Sequence, residues 1–330
     1  MSDTPLLSVQ DLQVHFTVST PTGRGTVHAV ENISFDLRRG ETLGLVGESG
    51  SGKSTIANAL MRLETPTAGR LLLDGKDVTR VKGGELKELR RRIAMVFQDP
   101  FSALNPRQTV GASVAEPLVV HGLAGAASSR RARVNELFGL VGLPERFADR
   151  YPHELSGGQR QRVCIARALA GEPDIIILDE ATASLDVSVQ AQIMNLLKRL
   201  QADLGLTYLF VAHDLAAVEY MSHRVLVMYL GRLMELSPKV ELYRAPGHPY
   251  TQALLSAIPL ADPLQERNRE RTLLQGDVPS PLNPPSGCVF RTRCPLAISE
   301  CADVVPAPVT LGEDHVAACI RTADVPLLSR

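Results

Sequence analysis

The run Gly47-Glu48-Ser49-Gly50-Ser51-Gly52-Lys53-Ser54-Thr55 has the spacing G-x-x-x-x-G-K-[ST]. Glycines at those places let successive backbone N–H groups turn toward a triphosphate, so all nine residues are candidate nucleotide ligands. Lys53 begins the following helix, where its ammonium can reach β- and γ-phosphate oxygens, and Ser54 can offer its hydroxyl to Mg2+. Further along, Leu155-Ser156-Gly157-Gly158-Gln159 is a Ser-Gly-Gly turn opening a second helix, another cradle for anionic oxygens. The apolar run Ile175-Ile176-Ile177-Leu178 ends in Asp179 and Glu180. An acid in the position of Asp179 holds Mg2+ through water in phosphate-loop enzymes, and Glu180 beside it can orient or deprotonate an attacking water.

These groups need a rigid frame, and the chain has one. Short strands are expected at 7–9, 12–16 and 33–37, then a buried strand, Thr42 to Val46, feeding the phosphate loop. Leu71 to Val78 reads as a hairpin turning at Asp74-Gly75. Between about Pro100 and His153 the alternation vanishes, and segments 110–120 and 129–141 carry helical spacing, as in an inserted helical subdomain. Regular alternation then returns: helix 157–170, strand 174–178, helix 187–204, strand 207–212, helix 214–221 and strand 224–229. Apolar residues at 189, 193, 196, 197, 200 and 204 form a single stripe along the long helix. The expected fold is α/β, a mainly parallel sheet covered on both faces, with an antiparallel β subdomain.

Composition narrows the function classes. The 330 residues are 44% hydrophobic, enough for a proper core, and the net charge of −1 gives no global field for nucleic acid or anionic lipid. No apolar run approaches the ~20 residues that span a bilayer. The start, Met1-Ser2-Asp3-Thr4-Pro5, does not read as a secretory signal. The expectation is a protein that stays in the cytosol and reaches a membrane only through partners.

Taken together, the phosphate loop, the Ser-Gly-Gly turn and the paired acids resemble the ATP-binding cassette (ABC) ATPases over about residues 6–235. The resemblance implies a phosphate-loop, RecA-like cassette over residues 1–236, with the helical subdomain at about 100–155. It makes Gln98, after Met95-Val96-Phe97, the Q-loop glutamine that contacts Mg2+ and water, and His213 in Val211-Ala212-His213-Asp214 the switch histidine at the γ-phosphate. Phe16 lies where the family stacks an aromatic ring on adenine. Asp186 ends a stretch, Ala183-Ser184-Leu185-Asp186, that departs from the usual Ser-Ala-Leu-Asp, and Ala181 replaces a common proline. The implied mechanism holds each ATP between Lys53 of one cassette and the signature turn of another, so ATP binding closes a dimer and hydrolysis reopens it. A soluble ABC protein of translation or DNA repair is the alternative, disfavoured by a single cassette and the absence of a heptad run between the motifs.

Beyond Ser237 proline becomes frequent and periodicity weakens, so residues 237–330 read as a loop-rich extension with little core of its own. Pro246-Gly247-His248-Pro249-Tyr250, Pro279 to Cys288 and Arg293-Cys294-Pro295 resemble the tail of dipeptide, oligopeptide and nickel importer ATPases. Arg107 and Gln159 look like the second ATPase subunit of such systems. The resemblance implies a sister ATPase, two membrane permeases, an extracytoplasmic solute-binding protein, and a place on the cytoplasmic face of the membrane. The cargo is then a peptide or, alternatively, nickel or another small solute. Cys288, Cys294, Cys301 and Cys319 are spaced C-x5-C-x6-C-x17-C. Four thiolates without an obvious histidine suit Zn2+ or an iron–sulfur cluster. Cys294-Pro295 echoes a ferredoxin-type pair, and some members of the subfamily hold [4Fe–4S], which favours the cluster. Cys164, alone in a helical pattern, reads as a core residue.

Overall fold

The computed structural model describes residues 4–20, 23–183, 185–258 and 274–326. Its strands are β1 (Leu7–Thr20), β2 (Gly23–Leu37), β3 (Thr42–Val46), β4 (Ala68–Leu73), β5 (Lys76–Asp77), β6 (Ile93–Val96), β7 (Ile175–Asp179), β8 (Thr207–Val211), β9 (Arg224–Tyr229), β10 (Arg232–Pro238), β11 (Val309–Gly312) and β12 (His315–Ala317). Its α-helices are α1 (Lys53–Leu60), α2 (Gly83–Arg92), α3 (Pro100–Ala103), α4 (Val110–His121), α5 (Ala127–Leu140), α6 (Gly157–Leu169), α7 (Val187–Leu204), α8 (Leu215–Met221), α9 (Lys239–Arg244) and α10 (Pro249–Ser256).

Two sheets form the frame. A large one runs β11-β12-β10-β9-β3-β8-β7-β6, and a smaller antiparallel one runs β2-β1-β4-β5. From β9 through β6 every pairing in the large sheet is parallel. Successive side chains of a strand point to opposite faces, and the core splits accordingly. Ile175 and Ile177 of β7, Leu209 and Val211 of β8, and Leu226 and Met228 of β9 share one core with α1 and the antiparallel sheet. Ile176, Leu178, Tyr208, Phe210, Val225 and Val227 face the other, with α6, α7 and α8. Strands buried on both sides have to be apolar throughout, which is why these read as continuous hydrophobic runs.

Local chemistry sets the boundaries. At the β4–β5 hairpin Asp74 and Gly75 both take positive φ, 49° and 76°, the pair of left-handed residues a two-residue turn demands. Asp186 caps α7 by accepting from the N–H of Val189 at 2.9 Å, and Gly205 ends it at φ 66°. The α7 stripe is buried at Ile193, Leu196, Leu197 and Leu200, while Leu204 at its end is exposed. Between β6 and α6 lies the expected helical subdomain. Arginines of α6 stitch it down: Arg160 donates to the carbonyl of Pro152 at 2.5 Å, Arg162 to Val141 at 2.6 Å and Arg167 to Ala103 at 2.6 Å. Cys164 is buried in the core there, and burial pushes its thiol up to about 11.

Two expectations change. The separate short strands expected at 7–9, 12–16 and 33–37 are parts of one long antiparallel pair, β1 with β2, whose irregular register breaks the sequence alternation. The C-terminal extension is not a tail without a core. Tyr250, Leu255, Cys288, Val289, Phe290 and Cys301 join the same buried cluster as α6 to α8, and β12 pairs antiparallel with β10 through Glu235↔Ala317 and Leu236↔Val316. A boundary drawn between 236 and 237 therefore falls within β10. Of the extension, residues 259–273 and 327–330 lie outside the described residues.

Candidate nucleotide site and the cysteine-lined pocket

The phosphate loop joins β3 to α1 at the carboxyl edge of the parallel strands, where such sheets receive ligands. Gly47 has φ 153°, and a Cβ there would sit 2.2 Å from the carbonyl oxygen of Met228 on β9. Gly52 has φ 101°, and its Cβ would sit 2.2 Å from the carbonyl of Ala29 on β2. Only glycine fits at these two places. Gly52 provides no side-chain cap, so among the described residues no side chain competes with an anion for the first N–H groups of α1. Lys53 is buried, and its ammonium donates to the carbonyls of Gly47 (2.8 Å) and Glu48 (3.0 Å). Burial lowers its pKa, against the pull of Glu180, Asp179 and Glu48. Ser49, Gly50 and Ser54 are exposed, Ser51 is buried, and Glu48 and Thr55 are half-buried.

The acids arrive on β7. The Ser54 hydroxyl donates to Asp179 at 3.3 Å. Burial raises the Asp179 carboxyl, and the charge of Glu180 adds to the effect, so this acid needs a compensating cation more than a solvated one would. Glu180 adopts φ 46°, a left-handed conformation costly for a side chain with a Cβ, and its N–H donates to the carbonyl of Val211 on β8. This kink turns the carboxylate off the strand axis. Gln98 donates to one of its oxygens at 2.6 Å, and His213 Nδ1 lies 3.8 Å from the other. Three residues from three separate loops thus meet at one point beside Ser54 and Lys53.

The second cradle faces elsewhere. Ser156 accepts from the N–H of Gln159 at 3.3 Å, and the Gln159 side chain accepts from the N–H of Ser156 at 3.0 Å, a reciprocal cap that presents the helix start. Gly158 lies against α7, where a Cβ would be 2.5 Å from Val189 Cγ1. Ser156 is exposed. Among the described residues no hydrogen bond or ion pair joins residues 156–159 to residues 47–55. Asp186, exposed at the start of α7, lies on this side as the helix cap. Ser184 lies outside the described residues. Phe16, on β1 opposite Val27, is half-buried and packs against the core of the antiparallel sheet.

Sequence reasoning passed over several contacts. Glu31 accepts from His15 Nε2 (2.8 Å) and lies 2.7 Å from His28 Nδ1, next to Phe16. Burial works to raise this carboxyl, but the two imidazoles hold it below its usual range. Glu235, fully buried, binds the N–H groups of Gly247 (2.7 Å) and His248 (3.0 Å) and lies 2.8 Å from His315 Nε2. The Pro-Gly-His-Pro-Tyr segment is therefore a docking element, and nothing in its own composition names the acid that holds it.

In the extension Cys288, Cys294, Cys301 and Cys319 all line one pocket, with His248, Phe290 and Arg321 among its walls. Among the described residues no three of these sulfurs lie within 4.8 Å of one another. A single tetrahedral Zn2+ with Zn–S bonds of about 2.3 Å would bring them to about 3.8 Å. Burial raises the thiols of Cys288 and Cys319, and that of Cys294 to about 11.

Comparison with known proteins agrees with this geometry. Residues 30–183 match the ABC transporter family, and residues 234–301 match the oligopeptide/dipeptide transporter C-terminal region. A candidate peptide import ATP-binding protein of Brucella ovis is 52% identical over 321 residues, spanning 97% of this chain and 99% of that one. The oligopeptide transport ATP-binding protein AppF of Bacillus subtilis is 48% identical, spanning 95% and 96%. Among solved structures, the ATP-binding cassette MJ0796, a dimer in a post-hydrolysis state bound to ADP and Pi, aligns with a TM-score of 0.64 at 33% identity, covering 71% of this chain and 98% of that one. CbiO1 of Clostridium perfringens, part of the cbiONQ transporter complex, aligns at 0.63 and 32%, covering 73% and 91%. With a phosphate loop, a signature turn and a convergent Gln–Glu–His group on such a sheet, and with relatives matched over nearly its whole length, the chain belongs to the ABC transporter family and carries the C-terminal region of its oligopeptide/dipeptide branch.

Proposed function

We propose that the chain is the ATP-hydrolysing subunit of an importer for di- and oligopeptides, working at the cytoplasmic face of a membrane. The observation that carries this reading is the meeting of Gln98, Glu180 and His213 beside Lys53, Ser54 and Asp179. Lys53 turns from the loop carbonyls to the β- and γ-phosphates as ATP enters, and the first N–H groups of α1 bind phosphate oxygens. Phe16 supplies the adenine platform. Ser54 and Asp179, with Gln98, suit Mg2+, because a buried acid beside a hydroxyl is a hard oxygen donor set with an uncompensated charge. Mg2+ when bound neutralises charge on the phosphates. Glu180, held by Gln98, takes the proton from the attacking water, and His213 donates to the γ-phosphate.

The signature turn, with Ser156 exposed and no hydrogen bond to its own phosphate loop among the described residues, completes the site of a second cassette, with Asp186 carrying contact between the two. That second cassette is a sister ATPase. Exposed Phe97 and Phe101, flanking Gln98, and exposed Val119, Val120 and Leu123 of the helical subdomain offer apolar surface to the permease pair. Among the described residues no helix is long and apolar enough to cross a membrane, so the spanning segments belong to those permeases, which a solute-binding protein supplies. The similar proteins named for peptide import support the cargo.

The pocket of the extension holds an iron–sulfur cluster rather than zinc. Four thiols lining one pocket, one of them in a Cys294-Pro295 pair, support the cluster reading. A cluster would draw on these four side chains as its thiolate ligands. Anaerobic purification followed by iron and sulfide assay tests it, and stoichiometric zinc without sulfide refutes it. The importer reading is tested by reconstituting the chain with its permeases in vesicles. Dipeptide and binding protein together are expected to stimulate ATP hydrolysis, and stimulation by nickel but not by peptides would overturn the cargo.

A further inference from the structure

The phosphate loop is gripped from outside the cassette. Glu48 is its second residue, and all three of its polar groups are engaged. Its N–H donates to the Tyr250 hydroxyl at 3.0 Å, its carbonyl accepts from Lys53 at 3.0 Å, and its carboxylate accepts from Arg293 at 2.7 Å. Two of those three partners come from the C-terminal extension. The Arg293 side chain is only 9% exposed and also reaches the Tyr229 hydroxyl, at 3.4 Å, while its Nε has no partner among the described residues. A guanidinium so far from water depends on the carboxylate it faces, and a charge-assisted bond of this kind is stronger than a neutral one.

The grip is built by the turn between two cysteines. In Cys288-Val289-Phe290-Arg291-Thr292-Arg293-Cys294 the N–H of Arg291 bonds to the carbonyl of Cys288 and that of Arg293 to the carbonyl of Phe290, while the N–H of Cys288 bonds to the carbonyl of Cys301. The coil sends Phe290 into a cluster of rings, 5.4 Å from Tyr229 and 5.2 Å from Tyr250, themselves 4.8 Å apart. Tyr229 ends β9, one residue after Met228, whose carbonyl closes on Gly47. Ring cluster and ion pair therefore press on the loop from the same side.

We propose that Arg293 and Tyr250 are positioning residues of the nucleotide site, and that order in the turn from Cys288 to Cys294 sets the affinity for ATP. Glu48 presents no side chain to the phosphates in this arrangement. Holding it fixes the carbonyls of Gly47 and Glu48, where Lys53 waits, and so fixes the shape that receives the triphosphate. The inference rests on the loop binding ATP and needs no statement of what the thiols hold.

The test is titration of the full chain with a fluorescent N-methylanthraniloyl ATP, alongside steady-state hydrolysis. Arg293→Gln is expected to raise Kd and KM about tenfold and Tyr250→Phe about threefold, with kcat little changed, because the loop is misplaced while Glu180 is not. Arg293→Lys should recover part of the loss. Glu48→Gln should match Arg293→Gln, and the double variant should be no worse than either, since both remove one contact. Cys294→Ser should weaken binding in the parent and much less in Arg293→Gln. An Arg293→Gln chain that binds the analogue as the parent does would overturn the proposal, as would independent, multiplying effects of Glu48→Gln and Arg293→Gln. If Arg293→Gln fails to fold, Glu48→Gln and Arg293→Lys decide by the same readings. A parent chain that binds no ATP would refute the nucleotide site itself, a result distinct from equal binding by parent and variant.

Discussion

The nucleotide site and the cysteine-lined pocket place reactive side chains by different means. At the first, Lys53 opens the helix fed by β3, and Asp179, Glu180 and His213 stand at the ends of β7 and β8; all three strands are buried along their whole length and paired in parallel. Their spacing follows from sheet geometry, and no ligand is needed to set it. At the second, the thiols sit on loops and a short 3-10 turn between 288 and 319, anchored by the carboxylates of Glu235 and Glu48 and by one cluster of rings. Rigid geometry is inherited in the cassette. In the extension it has to be assembled from docking contacts, so each contact there carries more weight for position.

The most drastic way to sharpen this contrast acts on the chemistry alone. Glu180→Gln should cut ATP hydrolysis at least about a hundredfold while leaving ATP binding and the melting temperature unchanged, and should trap an ATP-loaded dimer in gel filtration. A variant hydrolysing at the parent rate would end the assignment of Glu180. Next comes the docking acid. Glu235→Ala strands two buried N–H groups and should cost about 2–5 kcal/mol, seen as earlier protease cleavage in the extension than in the cassette. If both regions instead yielded together, the extension would be as rigid as the sheet. Gly158→Ala forces a methyl onto Val189 and should cost about 1–3 kcal/mol in a melt, with nucleotide binding to the isolated chain untouched. Ala183→Ser, which restores the hydroxyl usual in this family, should change hydrolysis by less than about twofold, because the residue is exposed and Asp186 already caps α7. A large gain there would mean the departure at Ala183 tunes the dimer.

Much of the fold was legible because its signals are local. The two-residue hairpin at Asp74-Gly75, the bounds of α7 and β9, and the phosphate loop each depend on backbone angles and hydrogen bonds within a few residues. Their residue types declare them. The long β1–β2 pair was not legible as such, since its irregular register breaks the period of two. Strand β10 was hidden by its proximity to the proline-rich segment, and β12 by its length of three residues.

Residues 47–55, 155–159 and 175–180 spell the nucleotide chemistry and the order of the motifs, and the strand–helix alternation over 157–229 spells the parallel sheet. A triphosphate cradle is a property of consecutive amides, and consecutive residues spell it. That Gln98 would meet Glu180 and His213, that Glu235 would hold Gly247, and that Arg293 would reach back to Glu48 depended on which distant segments the packed sheet brings side by side. Such contacts close large loops of chain, and their partners are chosen by the whole core rather than by any neighbouring residue.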